Sequence, residues 1–282
     1  MWLINLSVRF RKMRNLRFGE GVVLVALLVT MTWVMVISRP LFSQPSSDSS
    51  SQLQKILENI SRRLEAYPDF EKWKALVTST YVNADKNWQP EKIRRVKKLL
   101  TVNGEIREEE ILEAVEIEKG RTRDITEEYR KQRLERLRRQ KEEAEKAQPA
   151  GEKPSIRNQL TKDDLVPFTP RNRPNYVFKL VGEGQLNGLP VFIIEARARQ
   201  KKEYLFEGLY YISQQTYDPL RLVLKPSRNP NFVREFELEI ELDPWQDQLV
   251  LKKSRIKVYG SFLFKSVRMV IEEDYTDFKL IV

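Results

Sequence analysis

The chain has 282 residues, 41% of them hydrophobic, and a net charge of +10. It contains no histidine and no cysteine, which excludes disulfides, cysteine-based zinc sites, thiolate nucleophiles and the usual histidine base of hydrolases. Only carboxylate chemistry stays open, so we expect a protein that is not an enzyme and uses no cofactor and no metal ion. The length suits one sizeable domain with extensions.

A long apolar run near the N-terminus is the first recognisable element. Residues 21–38 form 18 positions without a charge, within the range of about 17–25 residues for a membrane-spanning helix. Residues 1–20 are basic, which places the N-terminus in the cytoplasm and the rest of the chain outside it. The alternative, a cleavable signal peptide, usually has a shorter apolar region of about 7–15 residues. We therefore predict an uncleaved, single-pass anchor in the cytoplasmic (inner) membrane and a periplasmic or other extracytoplasmic C-terminal domain.

The basic charge is explained in part by its position. Residues 9–17 hold five basic side chains directly before the apolar run. No recognition helix, zinc finger or RNA-binding aromatic motif follows downstream. We therefore expect the protein to contact the inner membrane through residues 21–38. We do not expect it to bind nucleic acid.

A linker and an amphipathic helix follow the apolar run. Residues 39–51 include the serine-rich stretch SQPSSDSSS and are predicted to be a flexible linker. Residues 52–66 place apolar side chains at helical spacing, which predicts a helix that packs one face on a sheet. Those side chains are Leu53, Ile56, Leu57, Ile60 and Leu64. We predict one domain over residues 52–282.

The next part of the chain is more ambiguous. Residues 73–82 are rich in Thr, Val and Tyr and are predicted to form the first strand. Residues 88–100 fit both helical spacing and strand alternation, so both remain open. Residues 121–155 are predicted to be a charged helical insertion, in which acids and bases four residues apart stabilise a solvated helix over 124–146. Residues 121–147 could instead be an arm that binds an envelope protein.

The C-terminal part has the alternation of a large antiparallel sheet. In residues 235–242, Phe236, Leu238, Ile240 and Leu242 alternate with four glutamates, which predicts a strand with one buried and one solvated face. Strands separated by turns at this spacing indicate a meandering sheet or open barrel. Further strands are predicted at residues 176–180, 189–199, 204–212, 220–224, 249–259, 262–272 and 275–280.

Three local features carry more specific expectations. Gly208 in the middle of a predicted strand indicates a bulge or a close approach of two backbones. Glu272, Glu273 and Asp274 form an acidic cluster that would be either a solvated strand end or a site for a cation or a proton. Residues 195–199 alternate Glu and Arg as cross-strand ion pairs do.

Several motifs in this region occur in a known order. They are Gly188-x-Pro190-Val191-x-x-Ile194-Glu195, Tyr210-Tyr211-Ile212, the turn Thr216–Arg221 and the ending Tyr275–Phe278. With these motifs, the chain resembles the periplasmic LolA/LolB/RseB-like proteins, which are described as outer-membrane lipoprotein-sorting proteins. The resemblance covers residues 174–282 well and residues 53–115 loosely, and it includes neither the apolar run nor the charged insertion.

The resemblance implies an α+β fold in which a strongly curved antiparallel sheet, an open half-barrel, wraps helices, here with an N-terminal transmembrane helix. It also implies a non-catalytic protein of envelope biogenesis that binds the acyl part of a lipid or lipoprotein in an apolar cavity. The candidate lining residues are Phe192, Ile194, Phe236, Leu238, Ile240, Phe262 and Phe264. An ordinary core filled by its own side chains is the alternative for them. The alternative function is an RseB-like envelope-stress sensor or scaffold that acts through protein contacts.

Overall fold

The computed structural model describes residues 47–67, 72–103, 106–146, 165–203, 205–245, 248–262 and 265–281. The predicted anchor at residues 21–38 and the basic segment before it lie outside the described residues. Neither helix within the described residues combines the length and the apolar character that a membrane crossing requires.

Two helices and eleven strands make up the described chain. The helices are α1 (Ser47–Glu65) and α2 (Thr126–Lys146), and a short 3-10 turn spans Arg173–Asn175. The strands are β1 (Lys72–Ala84), β2 (Pro90–Asn103), β3 (Ile106–Glu118), β4 (Arg121–Asp124), β5 (Tyr176–Leu186), β6 (Leu189–Ala198), β7 (Phe206–Ser213), β8 (Pro219–Pro226), β9 (Val233–Trp245), β10 (Gln248–Phe262) and β11 (Lys265–Leu280). Residues 88–100, which fit two interpretations in the sequence, belong to strand β2.

All eleven strands belong to one antiparallel sheet in the order β4-β3-β2-β1-β11-β10-β9-β8-β7-β6-β5. Every pair joins strands that are consecutive in the chain except the pair of β1 with β11. That pair joins strands β1–β4 to strands β5–β11 in one sheet. The two edges are β4 and β5, so the sheet is open rather than a closed barrel. This confirms the predicted open antiparallel architecture.

The strand β9 has the predicted two-sided character. Leu238 and Ile240 are buried, and Phe236 is half-buried on the same face. The glutamates between them lie on the other face, directly opposite cations of β10. The facing pairs are Glu237 with Lys257, Glu239 with Arg255 and Glu241 with Lys253.

The buried face, called the inner face here, curves around α1. One core cluster contains α1 together with side chains from the nine strands that run from β2 through β1 and β11 to β5. A flat sheet of nine strands would span about 38 Å, whereas a helix with its side chains is about 10–12 Å across. The sheet must therefore curve for side chains of all nine strands to join one core with a single helix. Four of the predicted apolar positions of α1 are buried in it, namely Ile56, Leu57, Ile60 and Leu64.

A second segment covers the inner face beside α1. Leu165, Val166 and Phe168 are buried. The ring of Phe168 packs 4.9 Å from that of Tyr210 and 5.6 Å from that of Phe178. The Tyr210 hydroxyl donates a hydrogen bond of 3.1 Å to the carbonyl of Leu165. Residues 165–168 are therefore part of the core.

The helix α2 packs on the same face of the sheet near its other end. Ile125 and Tyr129 are buried with Val96, Ile111 and Ala114 in a smaller second cluster. The predicted charged helix is therefore present, and its first turns dock on β2 and β3 while most of its later described side chains are exposed. Because both helices lie on one face, the sheet wraps them as the fold expectation requires.

One strand boundary differs from the expectation. Residues 262–272 and 275–280 were expected as two strands, but β11 is continuous from Lys265 to Leu280. Glu272, Glu273 and Asp274 therefore lie in the middle of a strand and not at a solvated strand end. Glu272 and Asp274 pair with Arg255 and Lys253 of the neighbouring strand β10, and Glu273 pairs with Lys98 of β2 across the intervening strand β1.

Candidate functional site

Three of the predicted lining residues lie in the core beneath the covering segments. Ile194 and Leu238 have exposed fractions of 0%, and Ile240 has 4%. They belong to the same cluster as α1 and residues 165–168. A ligand could reach these three side chains only if one of the covering segments moved.

Phe192 and Phe236 are half-buried and pack against that core from its border. The Phe192 ring stacks 6.4 Å from the Tyr217 ring, and the Phe236 ring meets the Phe206 ring at 6.2 Å. For Phe262 only the backbone is described, at the end of β10, and Phe264 lies outside the described residues. Five of the seven predicted lining side chains are thus placed together on the inner face.

A set of half-buried apolar side chains borders the core on the inner face. We call this set the apolar rim; it consists of Phe178, Leu180, Phe192, Phe236, Leu242 and Ile271. These side chains come from β5, β6, β9 and β11, so the rim extends over most of the sheet. Apolar surface left partly open on a concave face suits an apolar ligand.

The end of α1 is tied to the turn between β7 and β8. Asp218 has an exposed fraction of 1%, and its Oδ1 accepts a hydrogen bond of 2.8 Å from Nε of Arg63. The Tyr67 hydroxyl donates to the same oxygen. The sequence showed Asp218 only as a turn residue, because its partners are more than 150 positions away.

An ionic network lies on the inner face between the two apolar clusters. The Lys98 amino group lies 3.3 Å from a carboxylate oxygen of Glu273 and 3.4 Å from one of Glu109. Glu273 also accepts hydrogen bonds from the hydroxyls of Ser79 and Tyr275, at 2.8 and 2.9 Å. Burial alone would raise the pKa of Glu273, but Lys98 and the two hydroxyls lower it overall. Glu273 is therefore charged and fully partnered.

Arg133 of α2 joins this network through a contact of 2.6 Å with Glu109. Burial would lower the pKa of Lys98, but the two carboxylates outweigh it and raise that pKa. The sequence of β2 did not indicate that Lys98 forms buried ion pairs, because Lys98 stands in a run of basic residues that is typical of a solvated face.

The acidic cluster at residues 272–274 is divided by the strand. Glu273 faces the inner network, whereas Glu272 and Asp274 pair with Arg255 and Lys253 on the outer face. Within the described ranges, no group of three acidic side chains is arranged to hold a metal ion. Glu195 pairs with Arg197 of the same strand at 2.8 Å, whereas the sequence predicts pairing across strands.

Comparison with known proteins identifies only distant structural neighbours. No protein-family model matches the chain, and no curated protein matches it. A putative outer membrane lipoprotein-sorting protein domain from Vibrio parahaemolyticus shares 13% identity over 80% of this chain and 92% of its own, with a TM-score of 0.36. A LolA superfamily protein from Nitrosomonas europaea shares 13% identity over 81% and 93%, with a TM-score of 0.32.

A chain of the Pseudomonas aeruginosa MucA/MucB complex is also similar, at 11% identity over 84% of this chain and 100% of its own, with a TM-score of 0.21. At such identities and TM-scores, these similarities establish neither membership of a family nor a function. The structural neighbours do include LolA superfamily and lipoprotein-sorting proteins, and this is the family that the sequence motifs resemble.

Proposed function

We propose that this chain is a membrane-anchored, extracytoplasmic protein of the cell envelope that binds the acyl part of a lipid or lipoprotein without catalysing a reaction. The observation that supports the proposal is the apolar rim, a set of half-buried side chains on a concave face. Residues 21–38 would anchor the protein in the inner membrane, with the N-terminus in the cytoplasm.

The rim offers the acyl chain a surface that needs no rearrangement of the core. Each methylene removed from water contributes about 0.8 kcal/mol, so contact with only part of a long chain would already give useful affinity. Phe192 and Phe236 provide ring surface at two places on this face. Ile194, Leu238 and Ile240 form the buried floor beneath and would hold the rim in place.

The proposal is tested with a photoreactive fatty-acyl probe added to the whole chain in lipid nanodiscs. After irradiation, mass spectrometry of peptides maps the labelled residues. We expect labels on peptides that contain Phe192 or Phe236, and labels at residues 21–38 serve as the internal positive control. Labelling confined to residues 21–38 would contradict acyl binding by the sheet.

A matched pair of variants makes the assignment sharper. Phe236→Ser removes a rim side chain, whereas Phe232→Ser changes an exposed phenylalanine with an exposed fraction of 46%. We expect the first substitution to lower labelling of the sheet several-fold and the second to leave it unchanged. Equal labelling of the two variants would exclude Phe236 from the binding surface.

The second candidate function is that of an RseB-like sensor or scaffold acting through protein contacts. The observation that favours it is a pair of exposed leucines on α2, Leu134 with an exposed fraction of 67% and Leu137 with 48%. Three residues apart, they lie on one side of an otherwise charged helix. Such exposed apolar residues occur where proteins bind one another.

This candidate is tested by placing a photocrosslinking amino acid at position 137 in cells of the native host. The control position is 139, which lies on the other side of the helix. A discrete protein adduct at 137 that is absent at 139 would support the scaffold function. The same adducts at both positions, or none, would count against it.

A further inference from the structure

A cavity of about 180 Å³ lies between the inner face and α2. It is smaller than the roughly 300–1,000 Å³ of sites for drug-sized ligands, so it has room for a single small group. Its polar walls come from the adjacent strands β1 and β2 and from the helix α2. The polar wall residues are Tyr81 and Asn83 of β1, Lys92 and Arg94 of β2, and Tyr129 and Arg136 of α2.

The wall is positively charged, with three cations and no carboxylate. Glu116, behind the wall, accepts contacts of 2.9 Å from Lys92 and 3.1 Å from Arg94. Glu118 lies 3.4 Å from Lys92. Among the described residues, Arg136 has no acidic partner, and its Nε donates to the carbonyl of Gln132. The carboxylates nearby therefore leave a positive excess that faces the cavity.

Two of the cations are held in place by one aromatic ring. The guanidinium carbon of Arg94 lies 5.8 Å from the centre of the Tyr129 ring, and that of Arg136 lies 5.6 Å from it. Tyr129 is itself buried in the second apolar cluster. Because the ring is fixed, both arginines are positioned at the cavity before any ligand arrives.

Arg94 also has a hydrogen-bond donor without a protein partner. Its Nε is buried and donates to no acceptor among the described residues. A buried N–H without an acceptor is unfavourable by about 1–3 kcal/mol, which is a cost of holding Arg94 at the wall. Burial raises the pKa of Tyr81 well above its ordinary value, and its hydroxyl stays protonated and hydrogen-bonded with Tyr129.

We propose that this cavity binds a phosphate group, held by Lys92, Arg94 and Arg136. The planar fork of an arginine side chain matches two phosphate oxygens at once, and lysine adds a compact charge. Nothing in the cavity wall offers an acceptor charge that would suit a cation instead. The phosphate site stands independently of the acyl binding proposed above.

The phosphate could be free or part of a lipid headgroup, and the strand register bears on this choice. Phe236 pairs with Val258, Val258 with Met269, Met269 with Asn83, and Asn83 with Lys92. This row crosses five strands from the apolar rim to the cavity, about 19 Å at the usual strand spacing. A phospholipid could therefore lay an acyl chain along the row with its headgroup in the cavity; this source rests on the proposed acyl binding.

Isothermal titration calorimetry of the whole chain in a non-ionic detergent tests the site with two probes. The first probe is inorganic phosphate, and the second is dihexanoyl phosphatidic acid, a water-soluble phospholipid. The ionic strength is held constant with chloride, because screening alone weakens charged contacts. Binding of inorganic phosphate would identify a site for free phosphate, and binding of the short lipid alone would identify a headgroup site.

Substitutions at the cavity wall test whether the probes bind in this cavity. Arg94→Gln and Arg136→Gln should each weaken binding at least tenfold, and Arg136 is exposed, so its substitution leaves the fold intact. The matched control is Arg138→Gln, which makes the same change on α2 where the side chain pairs only with Glu142 among the described residues. Glu116→Gln should strengthen binding several-fold, because it frees Lys92 and Arg94. No binding of either probe, or equal binding by all three arginine variants, would overturn the proposal.

Discussion

Lys98 of β2 and Glu273 of β11 form an ion pair of 3.3 Å on the inner face, across the intervening strand β1. Ser79 of β1 lies between them and donates to the same carboxylate oxygen. The pair joins the two halves of the sheet at the point where the N-terminal hairpins meet the C-terminal meander. It also connects, through Glu109 and Arg133, to the docking of α2.

Removing the cation from this network should be strongly destabilising. Lys98→Met would leave the half-buried Glu273 without its cation, and loss of one partner of a buried pair costs about 3–5 kcal/mol, so we expect a loss at or below the lower end of that range. The free energy of unfolding is measured with urea and circular dichroism. Lys97→Met is the matched control, because Lys97 is exposed on the opposite face of the same strand. If both variants lost the same stability, the network would not have the role assigned to it.

Glu116 should make the stability depend on acid pH. Its pKa falls from the ordinary 4.5 to about 2, because Lys92 and Arg94 donate to it. A carboxyl with a lowered folded-state pKa stabilises the fold above its unfolded pKa, and this contribution is lost as the pH falls from 4.5 towards 2. Glu116→Gln should therefore flatten the decline in stability over that interval.

The measurement is the free energy of unfolding from about pH 6 to about pH 2, at low and high salt. Added salt should reduce the difference between the parent and Glu116→Gln, since the partner cations are partly solvated. Glu118→Gln is the control on the same strand and should retain the parent's decline. Parallel curves for the parent and Glu116→Gln would refute the prediction.

Gly208 should be intolerant of any side chain. A Cβ at this position would lie 2.0 Å from the carbonyl oxygen of Val223 in the neighbouring strand, so the two backbones would have to separate. We expect Gly208→Ala to cost about 1–3 kcal/mol or more, as overpacking does. Gly182→Ala is the control, because a Cβ there meets no atom within 4 Å. Thermal unfolding of the two variants distinguishes them, and similar melting temperatures would contradict this account of Gly208.

Asp218 should control how firmly α1 is held on the inner face. Asp218→Asn removes the charge that binds Arg63 and Tyr67, at an expected cost of about 1–3 kcal/mol. Amide hydrogen exchange should become faster in α1, over residues 47–65, because the C-terminal end of the helix is released. Asp243→Asn serves as control, since Asp243 is exposed and its contact with Lys252 is long, at 3.8 Å. Unchanged exchange in α1 would show that its apolar stripe alone holds it.

The amino-acid order alone was enough to predict most of the elements. The alternation of Phe236, Leu238 and Ile240 with glutamates predicts a two-sided strand, because successive side chains of a strand point to opposite faces. In the same way, the helical spacing from Leu53 to Leu64 predicts the stripe that α1 buries. Gly208 was predicted as a bulge or a close approach, and a close approach is what the structure has. Each of these depends on residues near one another in the chain.

Only the tertiary structure decided which distant residues meet. Lys98 and Glu273 are 175 positions apart, and each alone has the pattern of a solvated charge. The burial of residues 165–168, the continuity of β11 and the cationic cavity under α2 likewise depend on the pairing of β1 with β11 and on the docking of α2. Such contacts form because many side chains compete for one curved face, and burial on that face is a property of the whole sheet. Local periodicity determines which way a side chain points, but the assembled sheet determines what it meets.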